Sequence, residues 1–155
     1  MEKIREILEK KGNQIYSVSP DTTVYDALKL MADNNIGAVL VLEGQKLYGI
    51  MSERDYARKI VLNGKFSKEV LVKEIMSSEI ICIDADQTLQ ITQAIMTQKR
   101  IRHLPVLSNG VLVGVVSIGD IVNASMEDKT FLIDQLITYI NGVPEIEKKL
   151  SSENM

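Results

Sequence analysis

Cysteine and histidine are nearly absent from this chain, which has one of each in 155 residues. A disulfide framework and a cysteine metal cluster are excluded, because each needs several cysteines. Cys82 lies in an apolar run and is expected to be a buried structural thiol. The single histidine, His103, leaves no His-rich metal site and limits any nucleophile and histidine pair to its own surroundings. We therefore expect no bound metal.

Long apolar segments are also missing. No run approaches the ~20 residues that a membrane-spanning helix needs, and the charged stretch 1–13 has no signal-peptide core. The net charge of −3 argues against a general affinity for nucleic acid or anionic membranes. We expect a cytoplasmic protein with no nucleic acid and no membrane as partner. Because the phosphate loop GxxxxGK[ST] is absent, nucleotide hydrolysis has no support in the sequence.

What the chain does contain is an internal duplication. Residues 15–61 superpose on residues 80–126 at a constant offset of 65 without a gap. The identical pairs include polar as well as apolar positions, so a shared hydrophobic pattern does not explain them. Examples are Asp21/Asp86, Thr23/Thr88, Met31/Met96, Gly49/Gly114, Ser52/Ser117 and Asp55/Asp120. A chain of this length forms one domain of ordinary size or two half-sized units that share a core.

Each copy has the same order of predicted elements. Apolar residues at helical spacing predict the first helix, and two short apolar runs around a glycine-containing turn predict a hairpin. The first copy is predicted as helix 23–34, strands 38–42 and 47–51, and helix 53–62. The second copy is predicted as helix 88–99, strands 103–107 and 111–116, and a helix from 118.

The segments outside the duplication are also predicted to be helical. Residues 2–11 and 67–76 each place apolar side chains on one face and are expected to pack as connecting helices. The tail helix 127–141 is more apolar than the terminal helix of a monomer needs, so we expect a homodimer, although packing on its own domain remains an alternative. A stop is predicted at 142–144. The predicted domains are 1–66, 67–126 and 127–155.

A repeated motif, Gly-h-h-Ser-x-x-Asp with h apolar, ends the hairpin in each copy. Ser52 with Asp55, and Ser117 with Asp120, fit the capping box that begins ordinary helices. Both motifs follow a strand and open a helix, so a hydroxyl, free N–H groups and a carboxylate meet at a strand end. Such a carboxylate can accept hydrogen bonds from ribose hydroxyls, while the serine and helix N-terminus receive phosphate. Capping and nucleotide binding both remain open.

Together these features resemble a tandem pair of CBS domains (cystathionine β-synthase domains) over about residues 1–126. The motifs 72–77 and 100–106 also carry the resemblance. It implies an α+β fold of two β-α-β-β-α units packed around a pseudo-two-fold axis, with two clefts between them. It also implies a regulatory nucleotide-sensing module, often a homodimer, with no catalytic activity and an unknown regulated protein as partner. The expected ligands contain adenosine: AMP first, then ADP, ATP, NAD or S-adenosylmethionine.

The resemblance also implies the binding residues. The ribose carboxylates are placed at Asp55 and Asp120, and their hydroxyl partners at Ser52 and Ser117. The remaining implied positions are main chain near Tyr16 and Ile81, the basic pair Arg102 and His103, and the equivalents of that pair in the first copy, Gly37 and Ala38.

The two clefts are predicted to be unequal. The resemblance implies that the Asp55 cleft faces Arg102 and His103 and prefers phosphorylated ligands. The Asp120 cleft is expected to face only a glycine and an alanine and to tolerate uncharged ligands. On the helix that carries Asp55, Arg54 and Arg58 strengthen the same contrast.

Several alternatives stay open. Arg58 could bind phosphate or form a surface ion pair with Asp55, and His103 could be a core histidine rather than a ligand contact. Two other functions remain: a structural dimerisation module with empty clefts, and a small hydrolase that uses His103 with a nearby serine.

Overall fold

The computed structural model describes residues 2–141 and contains two three-stranded sheets, one for each copy of the repeat. The first half comprises α1 (Ile4–Lys11), β1 (Ser17–Val18), α2 (Val24–Asn34), β2 (Ala38–Glu43), β3 (Lys46–Ser52) and α3 (Glu53–Tyr56), which continues as a π-helical turn over Ala57–Val61. The second half comprises α4 (Val72–Ile75), β4 (Ile83–Asp84), α5 (Leu89–Lys99), β5 (His103–Ser108), β6 (Val111–Ser117) and α6 (Ile118–Asn141). The predicted α+β fold of two similar units is confirmed.

The duplication extends to the strand register. In each sheet the short first strand pairs parallel with the middle strand, which forms an antiparallel hairpin with the third. The hairpins shift register between Val41 and Leu42 and between Val106 and Leu107, which are the same positions of the two copies. A gapless sequence repeat has therefore produced a repeat in the backbone as well.

Each half has its own hydrophobic core, and each core is completed by a helix from outside that copy. Ile4 and Leu8 of α1 belong to the buried cluster of the second repeat. Val72 and Ile75 of α4 belong to the cluster of the first repeat. The boundary at 66 and 67 stays a prediction about the chain, but the packing crosses it in both directions.

We call α1 and α4 the exchanged helices, because each precedes one repeat in the chain and packs on the other. Their first N–H groups bind in the same way. The N–H groups of Ile4 and Arg5, which begin α1, donate to carbonyls of Gln87 and Ala85 at 3.0 and 2.8 Å. The first N–H groups of α4 donate in the same manner to Thr22 and Pro20 at 2.8 and 3.0 Å. These bonds satisfy groups that have no partner inside a helix. Equivalent exposed ion pairs follow, Arg5–Asp86 at 3.0 Å and Lys73–Asp21 at 2.9 Å.

The glycine of the repeated motif lies where a segment from outside the repeat crosses each sheet. A Cβ at Gly49 would lie 2.7 Å from the carbonyl oxygen of Ser77 and 2.9 Å from Sδ of Met76. A Cβ at Gly114 would lie 2.9 Å from Cδ2 of Leu8. The contact at Gly49 is with backbone, which cannot move aside, whereas the contact at Gly114 is with the end of a flexible side chain, so the requirement for glycine is stronger in the first repeat.

The predicted helix over 67–76 is wrong, because only Val72–Ile75 is helical. The carbonyls of Ser67 and Val70 instead accept hydrogen bonds from the N–H groups that begin α2, at 3.0 and 2.9 Å. Those carbonyls are therefore committed to capping a neighbouring helix rather than to a turn of their own.

The tail prediction also differs from the structure. The helix predicted to begin at 127 is the continuation of α6, a single helix of 24 residues. The predicted stop at 142–144 lies outside the described residues. No helix within residues 2–141 is long and apolar enough to cross a membrane.

Candidate functional site

A cavity of about 350 Å³ lies between the two repeats. This volume is within the range of roughly 300–1,000 Å³ that small-molecule sites occupy. Both repeats and the connection between α1 and β1 contribute to its walls, which are formed by Lys11, Gly12, Gln14, Tyr16, Asn35, Ile36, Gly37, Ala38, Val39, Leu40, Ile50, His103, Val115, Ser117 and Asp120. The second copy of the repeated motif therefore opens into a cleft that the first repeat closes from the other side.

The motif residues of this cleft form a complete capping box at the start of α6. Ser117 Oγ accepts a hydrogen bond from the Asp120 N–H at 3.1 Å, and Asp120 Oδ2 accepts one from the Ser117 N–H at 2.8 Å. These reciprocal bonds hold the carboxylate at the N-terminus of α6. Oδ1 of Asp120 accepts no hydrogen bond from residues 2–141, so it can accept from a ligand.

A lysine from α1 also binds the Asp120 carboxylate. Lys11, the last residue of α1, donates from Nζ to Asp120 Oδ2 at 2.7 Å and to the carbonyl oxygen of Val115 at 2.9 Å. The Asp120 side chain is 23% exposed and that of Lys11 is 38% exposed. Because the pair is shielded in part from water, its attraction is stronger than that of an open surface pair.

His103 lines the same cavity. It pairs with Ser117 across the β5–β6 hairpin, and its Nε2 lies 3.6 Å from the point where a Cβ of Gly37 would stand. The His103 ring therefore lies beside Gly37 of the first repeat. Burial lowers the pKa of His103 below its ordinary value of 6.5; Asp120 acts in the opposite direction, while Lys11 and Arg102 lower it further.

The surroundings of Asp120 favour its charged form. Burial on its own raises the pKa of Asp120, but the hydrogen bond from Lys11, the bond from the Ser117 backbone and the charge of Lys11 outweigh it. The net result is a pKa below the ordinary value of 3.8. At neutral pH the cleft therefore contains an ionised carboxylate, a lysine ammonium and a neutral imidazole.

These shifts predict how stability depends on pH. His103 has a lower pKa folded than unfolded, so the unfolded chain binds more protons and the free energy of unfolding falls as pH drops below about 6.5. The contribution of Asp120 is present above 3.8 and is lost only at lower pH. Urea unfolding at pH 7, 6 and 5 is expected to show a smaller loss for His103→Gln than for the wild type. Equal losses in both proteins would contradict the buried neutral state.

The motif of the first repeat forms the same capping box, but its carboxylate pairs with a different lysine. Asp55 Oδ2 accepts from the N–H and Oγ of Ser52 at 2.9 and 3.1 Å. Oδ1 pairs with Lys59 Nζ at 3.0 Å, and Lys59 also donates to the Ile75 carbonyl at 2.8 Å. Of the two roles left open for Arg58, the surface pair with Asp55 is not formed in the described residues, since Lys59, the next residue, pairs with Asp55 instead. Both oxygens of Asp55 are committed to protein groups.

The structure brings together half of the predicted binding residues. Those that line the cavity are Tyr16, Gly37, Ala38, His103, Ser117 and Asp120. Those that do not line it are Ser52, Arg54, Asp55, Arg58, Ile81 and Arg102. Ile81 packs against the second core instead, and Arg54, Arg58 and Arg102 are exposed.

The expected distribution of charge between the clefts is also corrected. The resemblance pairs His103 with Asp55, whereas the structure places His103 in the cavity of Asp120. The sequence further predicts that Asp120 faces only a glycine and an alanine, without a charged side chain. In the structure Lys11 lies against Asp120. The reason is the exchange of helices, because α1 packs on the second repeat and delivers its last residue to that repeat's motif.

Lys11, Gln14 and Asn35 are the polar residues of the cavity that the sequence did not indicate. Lys11 stands in a run of three charged residues that reads as an ordinary helix end. Nothing in its neighbours distinguishes it from a solvated lysine, because its role depends on where α1 packs.

The arrangement offers little to a hydrolase. Ser117 Oγ serves as the cap acceptor, and no hydrogen bond joins it to His103 in the part of the chain that the structure describes. Over the same residues, no group of three His, Cys, Asp or Glu side chains is placed to hold a metal.

Comparison with known proteins agrees with this architecture. A family model described as CBS domain matches residues 4–62 and 72–127. The mitochondrial CBS domain-containing protein CBSX3 of Arabidopsis thaliana is 37% identical over 148 residues, which span 90% of this chain and 72% of the relative. A solved protein with CBS domains from Burkholderia ambifaria MC40-6 is 44% identical, covers 82% of this chain and 96% of its own, and has a TM-score of 0.79. A hexameric CBS-CP12 protein from bloom-forming cyanobacteria is 26% identical over 79% of this chain and 70% of its own, with a TM-score of 0.70. With two matched domains, two equivalent sheets and one cleft formed between them, the chain belongs to the CBS-domain family as a tandem pair.

Proposed function

We propose that this chain is a regulatory module that binds an adenosine-containing ligand, with AMP as the first candidate, in the cavity at Asp120. The observation that carries the proposal is the cavity itself, where an ionised carboxylate with an open oxygen stands at a helix N-terminus between two repeats. Its size and its position at the end of a strand are those of small-molecule sites.

The chemistry of the walls supports a nucleoside. Oδ1 of Asp120 can accept hydrogen bonds from ribose hydroxyls, which are charge-assisted and worth about 1.5–3 kcal/mol each. Ile36, Ile50 and Val115 give the cavity apolar walls against which a flat base can pack. A ligand held there contacts both repeats at once, so binding can alter how the two halves sit together. This coupling is the physical basis of a regulatory role.

Calorimetric titration with AMP, ADP, ATP, NAD and S-adenosylmethionine tests the proposal, and the decisive variant is Asp120→Asn. Asparagine keeps an oxygen for the cap but removes the charge that strengthens the ribose bonds. We expect the affinity of the preferred ligand to fall about 10- to 100-fold, the equivalent of about 1.5–3 kcal/mol. The measurement is the dissociation constant at one pH and salt concentration.

The repeat supplies a matched control. Asp55→Asn makes the same change at the same motif position, but Asp55 does not line the cavity. This variant is expected to leave the affinity at the Asp120 cavity unchanged. Binding of none of the five ligands would overturn the proposed function, and equal affinities of wild type and Asp120→Asn would overturn the assignment of this carboxylate.

A second function, self-association, is favoured by one surface. Along α6, exposed apolar side chains recur at spacings of three, four and seven, which places them on one face: Val122, Met126, Ile133, Leu136 and Ile140. Such a stripe is the pattern through which helices pair. We propose that it joins two copies of the chain, and the hexameric structural neighbour named above supports self-association in the family. A regulated partner protein and a cytoplasmic location stay predictions.

A further inference from the structure

Lys11 occupies a position that the packing of α1 on the second core does not explain. Its ammonium stands 2.7 Å from Asp120 Oδ2 and 2.9 Å from the Val115 carbonyl oxygen, inside the cleft rather than in solvent. An ammonium has three donors, and these two acceptors use two of them. Within residues 2–141 the third donates to no acceptor, so it is available to a ligand in the cavity.

The charge balance of the cavity depends on this lysine. Of the residues that line it, only Lys11 and Asp120 carry full charges at neutral pH, because burial keeps His103 neutral. Without Lys11 the cavity would present a lone carboxylate, which repels an anion such as phosphate. With Lys11 the net charge of the walls is zero and a donor for an anionic oxygen is already in place.

The first repeat shows that this is not the only way to neutralise the motif. There the carboxylate of Asp55 pairs with Lys59 from its own helix, four residues on. In the second repeat the corresponding position is Ala124, which is buried in the core. The charge that an alanine cannot supply comes from Lys11 of α1, which also lines the cavity.

We propose that Lys11 is the residue that selects phosphorylated ligands at this cleft, by binding a phosphate oxygen while Asp120 binds the ribose. The inference rests on the proposed function, because it names the class of adenosine ligand that the same site takes. Lys11 then shares its ammonium between Asp120 and the phosphate, or transfers from one to the other when the ligand enters.

The test compares AMP with adenosine, which differ only in the phosphate. For Lys11→Met we expect the affinity for AMP to fall at least 10-fold, while the affinity for adenosine is unchanged or rises because Asp120 loses a competing partner. Lys11→Arg keeps the charge and is expected to retain the preference for AMP. Both dissociation constants are measured by calorimetry, with adenosine also used as a competitor of AMP, and thermal unfolding verifies that each variant is folded.

Lys3→Met is the matched control, since Lys3 is an exposed lysine at the other end of α1 that does not line the cavity. It removes the same charge from the chain and is expected to leave both affinities unchanged. If the wild type binds neither AMP nor adenosine, the proposed function fails. If it binds both and Lys11→Met loses them equally or not at all, the proposed function stands and the assignment of Lys11 is wrong.

Discussion

A Gly49→Ala variant is expected to unfold roughly 6–12 °C below the wild type, a loss of about 3 kcal/mol. The added methyl group would stand 2.7 Å from the carbonyl oxygen of Ser77 and 2.9 Å from Sδ of Met76. That carbonyl accepts a hydrogen bond from the Ile50 N–H, and the Ser77 N–H donates in return to Ile50, at 3.1 and 2.9 Å. Overpacking costs about 1–3 kcal/mol, and each backbone bond that is lost adds about 0.5–1.5 kcal/mol.

Gly114→Ala tests whether the loss of stability comes from the contact with backbone or from replacing a motif glycine at all. It makes the same change at the same motif position, but the methyl group meets Cδ2 and Cδ1 of Leu8, at 2.9 and 3.1 Å. These atoms are the end of a flexible side chain, which can turn aside, so we expect a loss of about 1 kcal/mol or less. Thermal and urea unfolding of the two variants side by side measure the difference. Equal destabilisation would show that the backbone contact with Ser77 is not what requires Gly49.

If the proposed dimer forms through α6, a Leu136→Glu variant is expected to be a monomer at micromolar concentration, with the dimer dissociation constant raised at least 100-fold. Leu136 is 57% exposed in the single chain and lies between Ile133 and Ile140 on the same face of α6. A carboxylate placed in the centre of an apolar helix pair loses its hydration without gaining a partner. Sedimentation equilibrium or light scattering over a range of concentrations gives the dissociation constants.

The neighbouring position provides the control. Gln135→Glu introduces the same charge on an exposed residue outside the stripe and is expected to leave the dimer intact. A wild-type chain that is monomeric at high micromolar concentration would remove the self-association proposal. A dimer that survives Leu136→Glu would place the interface elsewhere on the molecule.

The elements of the repeat were predictable because their causes are local. Thr23 and Thr88 cap α2 and α5, each accepting a hydrogen bond from the N–H three residues on. The apolar runs and glycine turns of the hairpins likewise carry their signal within a few residues. The two capping boxes also formed as the spacing indicates. For these parts the sequence contains the whole physical argument.

The parts that could not be predicted depend on contacts between segments far apart in the chain. The stretch 67–76 has helical spacing, but its first carbonyls are taken by the start of α2. Lys11 is a plain helix-terminal lysine until α1 packs on the second repeat. The resemblance places His103 in the Asp55 cleft, whereas the structure places it in the Asp120 cavity beside Gly37 of the other repeat. In each case a long-range contact outweighs the local pattern.

The exchange of helices between repeats has a consequence for the order in which the chain folds as it is synthesised. When the first repeat leaves the ribosome its core still lacks Val72 and Ile75, so it completes only after α4 has followed. Helix α1 is synthesised before both repeats, yet its apolar face packs only on β6, α6 and the rest of the second repeat, which follow much later in the chain. Because contacts of such sequence separation form late, the two halves reach their final packing only after the second repeat has been synthesised. Until then Ile4, Ile7 and Leu8 are open to the chaperones that bind nascent chains.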